Sequence, residues 1–246
     1  MAKLKGKTAL VTGGSRGIGA AIAERLAQEG ADVAITYAKS ADAAEKVVAR
    51  GRAYGVKAEA LQADSDDGEA IKRVVGEVVH RFGRLDVLVN NAGIFFLGSL
   101  LDSTDEEFER MVNINVRAVF LASREAAKVT QKGGRIINIG SNLGERVPFP
   151  EARLYAMSKS AVAGFTRAWA RDLGPKGITV NCVQPGPINT DMNPEDSDFS
   201  AAQKAGTAIG RYGQPSEVAD LVLFLASPEA SNITGAILNI DGGFNA

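Results

Sequence analysis

The chain has 246 residues, of which 45% are hydrophobic and 23% charged, and its formal net charge is −1. That length and balance suit one large α/β domain or two small ones, and exclude a broad basic surface for nucleic acid. A lone cysteine, Cys182, excludes an internal disulfide and fits a reducing compartment, while a lone histidine, His80, leaves little material for a His-based zinc site or a Ser-His-Asp triad.

No run approaches signal-peptide or transmembrane length, so a cytoplasmic protein with no membrane or metal partner is expected. Residues 7–12 (KTALVT) are a short apolar run that suits a buried parallel strand. They enter TGGSRGIG, after which Ile18, Ile22 and Leu26 recur at helical spacing until Gly30. Residues 32–37 are a second strand and 41–53 a helix. A weaker strand at 56–62 is followed by a polar stop at 63–67 and a helix to about 81. Residues 85–90 form the fourth strand and end in NNAG. Thr104 with Glu107 has capping-box form and predicts one long helix to about residue 130. A strand at 135–139 precedes the helix of Tyr155 and Lys159, which Gly174-Pro175 stops. A sixth strand at 178–183 ends in QPGP. Residues 189–210 then break the pattern and suggest a substrate lid, whose acids Asp191, Glu195, Asp196 and Asp198 read as solvated charge. Pro215 opens a helix with Val218, Leu221, Val222 and Leu225 inward, and 236–240 close as a seventh strand. Strands and helices alternate without a linker or repeat. That predicts a single doubly wound Rossmann-type α/β domain over residues 1–246, with a parallel sheet and helices on both faces.

Gly13, Gly17 and Gly19, with Ser15, Arg16 and Ile18 between them, lie where a strand turns into a helix. Glycines there let backbone approach a pyrophosphate resting on the helix N-terminus; the plainer alternative is a turn that only packs the helix on the sheet. The second strand ends Tyr37-Ala38-Lys39-Ser40 with no acid. Lys39 and Arg16 beside the expected ribose favour NADP(H) over NAD. Asp64, followed by Ser65, could accept from adenine or equally cap a helix. Asn91, Ala92 and Gly93 would support the adenosine side.

Tyr155 and Lys159 are four apart, and Ser141 lies 14 positions before Tyr155. Such a pair shares one helix face, where the cation would draw the phenol's pKa down towards neutrality. By itself this spacing is common, and a surface Tyr and Lys sharing a helix is the plainer reading.

With TGGSRGIG, NNAG, the Ser–Tyr–Lys set and QPG in that order, the chain resembles the short-chain dehydrogenase/reductase family from residue 5 to the closing IDGGF. Within it, the chain is similar to NADP-dependent 3-oxoacyl-carrier-protein reductases and microbial ketoreductases. In SRGIGAAI, VQPGPINTD and PEASNITGA it is also similar to members that bind cyclic-di-GMP. The resemblance implies strand order 3-2-1-4-5-6-7, a small carbonyl or alcohol substrate and a homotetramer. It makes Tyr155 the general acid, and Lys159 the group that tunes it and holds the nicotinamide ribose. Ser141 would polarise the substrate carbonyl. Asn115, rather than Asn113, would hold a water relaying protons to Lys159. Pro185, Gly186, the Ile188 backbone and Thr190 would meet the nicotinamide end. Leu97, Phe149 and Met192 are candidate pocket liners.

Three details depart from the family pattern. The interval from Ser141 to Tyr155 is one residue longer than in most members, Gly140 stands where many members have a second serine, and Gln184 precedes the Pro-Gly turn. The leading expectation is an NADPH-dependent carbonyl reductase, reversible as an alcohol dehydrogenase. The alternative is a cyclic-di-GMP-binding regulatory protein on the same scaffold. Enoyl reduction is disfavoured, since relatives with that activity space Tyr and Lys more widely.

Overall fold

Seven short apolar runs pair side by side in a computed structural model that describes residues 2–246. They are β1 (Thr8–Val11), β2 (Asp32–Tyr37), β3 (Ala58–Gln62), β4 (Val87–Asn90), β5 (Arg135–Ile139), β6 (Thr179–Pro185) and β7 (Ile237–Ile240). Every residue of β1, β4, β5 and β6 is buried, which is why these segments read as continuous apolar runs and not as alternating ones. All pairings are parallel and the order is β3-β2-β1-β4-β5-β6-β7.

Helices cover both faces. On one side α1 (Gly17–Gln28), α2 (Ala41–Arg52) and α8 (Pro215–Ala226) bury Ile22, Val47 and Val218 against Val11, Val33 and Val89. On the other, α3 (Gly68–Phe82), α5 (Ala118–Val129) and α6 (Arg153–Leu173) bury Ile71, Leu121 and Ala170 against Leu10, Leu88 and Ile136.

The long helix expected from residue 104 to 130 is instead three pieces. α4 (Asp105–Val112) passes into a π-helical turn at Asn113–Arg117 before α5 begins. Thr104 Oγ1 accepts from Glu107 N at 3.2 Å, but the Glu107 carboxylate takes Arg153 Nη2 at 2.9 Å and does not return to Thr104. The capping box is therefore half made, because a part-buried arginine competes for the acid. A carboxylate does reach back at α8, where Glu217 Oε2 accepts from Gln214 N at 2.7 Å. The irregular stretch 189–210 also contains a short helix, α7 (Ser200–Gly206).

A buried polar ladder crosses the middle of the sheet. Asn90 Nδ2 donates to Ser123 Oγ on α5 at 2.9 Å and to Asn138 Oδ1 at 2.8 Å. Asn138 Nδ2 donates to Thr166 Oγ1 on α6 at 2.9 Å. Removing Asn138 unpairs buried groups on both neighbours, which costs roughly 1–3 kcal/mol per orphaned group. Asn138→Ala is expected to lower unfolding stability by about 2 kcal/mol, read as a lower urea midpoint at unchanged m-value.

Candidate functional site

The ends of the strands open into a cleft of about 610 Å³, where open α/β sheets take ligands. At one end of the cleft the backbone itself is the wall. Gly13 and Gly17 have φ of 64° and 55°, left-handed values that a side chain makes costly. A Cβ on Gly19 would stand 2.4 Å from Asn91 Nδ2 and from Gly13 O. Asn91 Nδ2 donates to the carbonyls of Thr12 and Gly13 at 2.9 and 3.0 Å, clamping the loop to the end of β4. Thr12 Oγ1 completes the clamp by accepting from Asn91 N and Ala92 N.

α1 begins on this loop with no side-chain cap and no acid in its first turn. An uncapped helix start on a glycine cradle is what a pyrophosphate fits, since free N–H groups and the helix dipole both face the anion. Arg16 and Lys39 line the same wall. Among the described residues Lys39 makes no ion pair, and Arg16 makes only a long exposed one, 3.9 Å to Asp191. Two such cations fit an additional phosphate on the ribose. Asp64 is not the helix cap: Asp67 accepts from Glu69 N and Ala70 N, while Asp64 Oδ1 accepts from Asp66 N.

At the other end of the cleft stand Ser141, Tyr155 and Lys159. Ser141 follows β5 and caps a one-turn 3-10 helix, its Oγ accepting from Leu143 N at 3.2 Å. Its hydroxyl donates to Asn142 Oδ1 at 3.4 Å. Gly144 lets that turn lie on α6, where a Cβ would meet the Lys159 backbone at 2.9 Å. Lys159 is buried, and its ammonium donates to Ile139 O at 2.9 Å, 5.5 Å from the centre of the Tyr155 ring.

The expectation that Lys159 draws the phenol towards neutrality is not met. Burial raises the Tyr155 pKa to about 12, with the Ser141 hydroxyl pulling the other way. Burial likewise lowers Lys159 to about 8, so its charge is kept at neutral pH and lost as the pH rises past that value.

Asn115 sits inside the π-helical turn. Its Oδ1 accepts from Ile94 N at 2.9 Å, and its Nδ2 donates to Ile94 O at 3.0 Å and Ser158 Oγ at 3.1 Å. Ser158 in turn donates to Tyr155 O. A Cβ on Gly93 would lie 3.3 Å from Asn115 Oδ1 and 3.7 Å from Lys159 Nζ, so the bare glycine leaves a gap between the two.

The expected site residues from the glycine loop, Tyr37 to Ser40, Asp64 and Ser65, 91–93, Ser141, Tyr155, Lys159, Pro185, Gly186, Ile188 and Thr190 all border this cleft. Asn115 does not; it acts on the wall through Ile94. Phe149 and Met192 line the cleft, but Leu97 does not, because the loop after Phe95 turns it outward. Several lining residues were not anticipated, among them Phe95, Ile114, Gln203 and Phe244. Phe95, two positions after NNAG, meets the Tyr155 ring edge-on at 4.9 Å and 86°. Phe244 arrives from the far end of the chain, where no local pattern marks it.

Two of the three departures from the family pattern acquire a structural setting. A Cβ on Gly140 would stand 2.7 Å from Cys182 Sγ, so the thiol occupies the room a second serine would use. The longer loop is fastened by Gly98 N donating to Glu151 O at 2.9 Å. There Glu151 has φ of 72°, the sole positive value at a non-glycine among the described residues. Arg153 bonds Ser103 and Glu107 beside it, tying the loop that carries Phe95 to the start of α6.

Residues 13–245 match the family described as enoyl-(acyl carrier protein) reductase. A short chain dehydrogenase from Burkholderia cenocepacia, solved in complex with NADP, is 55% identical at a TM-score of 0.98, covering 99% of this chain and 100% of that one. The cyclic-di-GMP-binding biofilm dispersal mediator protein of Escherichia coli is 47% identical over all of both chains. Versicolorin reductase 1 of Aspergillus parasiticus is 44% identical over 98% of this chain and 97% of its own.

Restoring a serine at position 140 tests the packing account. Gly140→Ser is expected to lose about 2 kcal/mol of stability by overpacking against Cys182. The double variant Gly140→Ser, Cys182→Ala should recover most of that loss in the same urea titration.

Proposed function

Because the chain belongs to the short-chain dehydrogenase/reductase family, we propose that it is an NADPH-dependent reductase of ketones or 3-oxoacyl compounds, reversible as an alcohol dehydrogenase. The observation that carries this reading is that one cleft joins an uncapped, cation-flanked helix start to a Ser141–Tyr155–Lys159 cluster. Arg16, Lys39 and Ser40 would hold the phosphorylated ribose, the 13–19 loop the pyrophosphate, and Pro185, Gly186, Ile188 and Thr190 the nicotinamide end. Bound NADPH supplies a hydride from nicotinamide C4.

The chain's own part is to orient and to move a proton. Ser141 donates to the substrate oxygen, and Tyr155, whose phenol keeps its proton at any physiological pH, delivers that proton as the oxygen gains charge. The Lys159 ammonium compensates the phenolate left behind, returns a proton to it, and is itself reprotonated across the gap at Gly93, where the Asn115 carbonyl can fix a water. The matched family's description names enoyl reduction. The four-residue interval from Tyr155 to Lys159 favours carbonyl reduction instead, since the enoyl reductases it resembles space these residues more widely. Phe120, Phe165 and Trp169 form an aromatic cluster on α5 and α6, with Phe165 and Trp169 stacked at 4.5 Å and Phe120 partly exposed. This face supports the homotetramer that the family resemblance implies, and a monomeric mass in sedimentation would overturn it.

The second reading, a cyclic-di-GMP-binding regulator, draws its support from the likeness to the biofilm dispersal mediator. A panel of ketones and 3-oxoacyl esters followed by NADPH oxidation separates the two. Tyr155→Phe is expected to lower kcat by about 10²–10⁴-fold while NADPH still binds. Wild type and variant equally inactive across the panel, with cyclic-di-GMP bound tightly, would leave only the regulatory reading. In the same assay kcat/KM for reduction should fall above about pH 8 as Lys159 loses its proton, a limb set by the free enzyme. Lys159→Arg, which keeps its charge, should lack that limb.

A further inference from the structure

The substrate end of the cleft differs sharply in character from the cofactor end. Around Ser141 and Tyr155 the wall is Ile94, Phe95, Phe149, Ile188, Met192 and Phe244, with no basic side chain offered to a ligand. The bases that do line the cleft are committed elsewhere. Arg16 and Lys39 stand at the glycine-loop end, and Lys159 is turned onto Ile139 O. Arg110 shares a helix face with Ile114, one turn on, and Ile114 borders a small void with Ser65 and Ala92. Arg146, on the loop after Ser141, donates to Phe244 O.

The lip adds net negative charge. Asn193 and Gln203, both in the cleft wall, clasp each other's amides at 2.8 and 3.0 Å. The chain between them carries Glu195, Asp196 and Asp198. Lys204 pairs with Glu195 at 2.9 Å, while Asp196 and Asp198 are exposed and make no ion pair among the described residues. An anion bound here would lose hydration without gaining a cation, and the chain between the two lip residues adds two free carboxylates. A neutral apolar carbonyl compound loses nothing polar except the oxygen that Ser141 and Tyr155 receive.

We propose that this site is selective for uncharged, apolar free carbonyl compounds and turns away carbonyl groups borne on carboxylates, polyphosphates or acidic carriers, an inference that rests on the reductase reading above. The apolar wall supplies the affinity and the acidic lip between Asn193 and Gln203 supplies the exclusion. The same lip opposes a cyclic dinucleotide, with its two phosphates, in the substrate end.

Matched pairs test it, each sharing one reacting carbonyl: methyl 4-acetylbenzoate against 4-acetylbenzoate, and the N-acetylcysteamine thioester of acetoacetate against acetoacetyl-CoA. In low salt, where the Debye length reaches about 30 Å, the neutral member should have kcat/KM at least about tenfold higher, mostly through KM. The gap should narrow in about 1 M salt, where that length falls to about 3 Å, and in the double variant Asp196→Asn, Asp198→Asn, which should leave the neutral rates unchanged. Equal or better use of the charged members, or a gap unmoved by salt and by the lid variant, would overturn the proposal. Failure of all four compounds to oxidise NADPH that the protein demonstrably binds would instead overturn the reductase reading and this inference with it.

Discussion

Asn138 reaches both ways across the sheet, accepting from Asn90 on β4 and donating to Thr166 on α6. Everything at the head of the cleft hangs from those two partners. Asn90 fixes the end of β4, and so the position of Asn91, which clamps the glycine loop, and of Gly93 beside Lys159. Thr166 fixes α6 two turns beyond Lys159, and β5 itself runs on into Ser141. A buried amide pays desolvation unless both its functions are met, so the ladder holds one arrangement and penalises any slip between strands and helix.

The cleft is shaped as much by missing atoms as by present ones. Gly19 lets α1 close onto Asn91, and Gly144 lets the turn after Ser141 rest on α6. Gly93 leaves the space between Asn115 and Lys159, and Gly140 yields its room to Cys182. Around these bare positions the π-helical turn at Asn113–Arg117 widens the helix enough to aim Asn115 at both backbone groups of Ile94. π-turns are uncommon and concentrate at functional sites. Here the turn makes Asn115 a brace for the wall while its carbonyl borders the gap at Gly93.

Burial governs the electrostatics of the proposed catalytic pair. The phenol is pushed up and the ammonium down by the same loss of solvent, so in the protein alone each group leans towards its neutral form. Such a pair suits a proton donor that must keep its proton until charge develops on the substrate. The charged groups of the cleft are correspondingly sorted: cations where phosphates would lie, carboxylates at the lip, and apolar side chains where carbonyl chemistry is proposed.

The amino-acid sequence by itself determined the alternation of strands and helices, the bounds of β2 and β5, the glycine turn and most of the residues that border the cleft. Those features are local: a continuous apolar run, a helix period, a turn that needs positive φ, a Tyr and Lys one helical turn apart. Tertiary structure alone decided the rest. The helix after Thr104 breaks because Asn115 gains more from Ile94 and Ser158 than from regular helical spacing. Its capping box stays half made because Arg153, 46 residues away, claims Glu107. Phe244 enters the wall from the last strand's tail, and Tyr155 titrates high because distant segments bury it. Each of these outcomes depends on which remote groups share a volume or a hydrogen bond, and no spacing along a single chain records that.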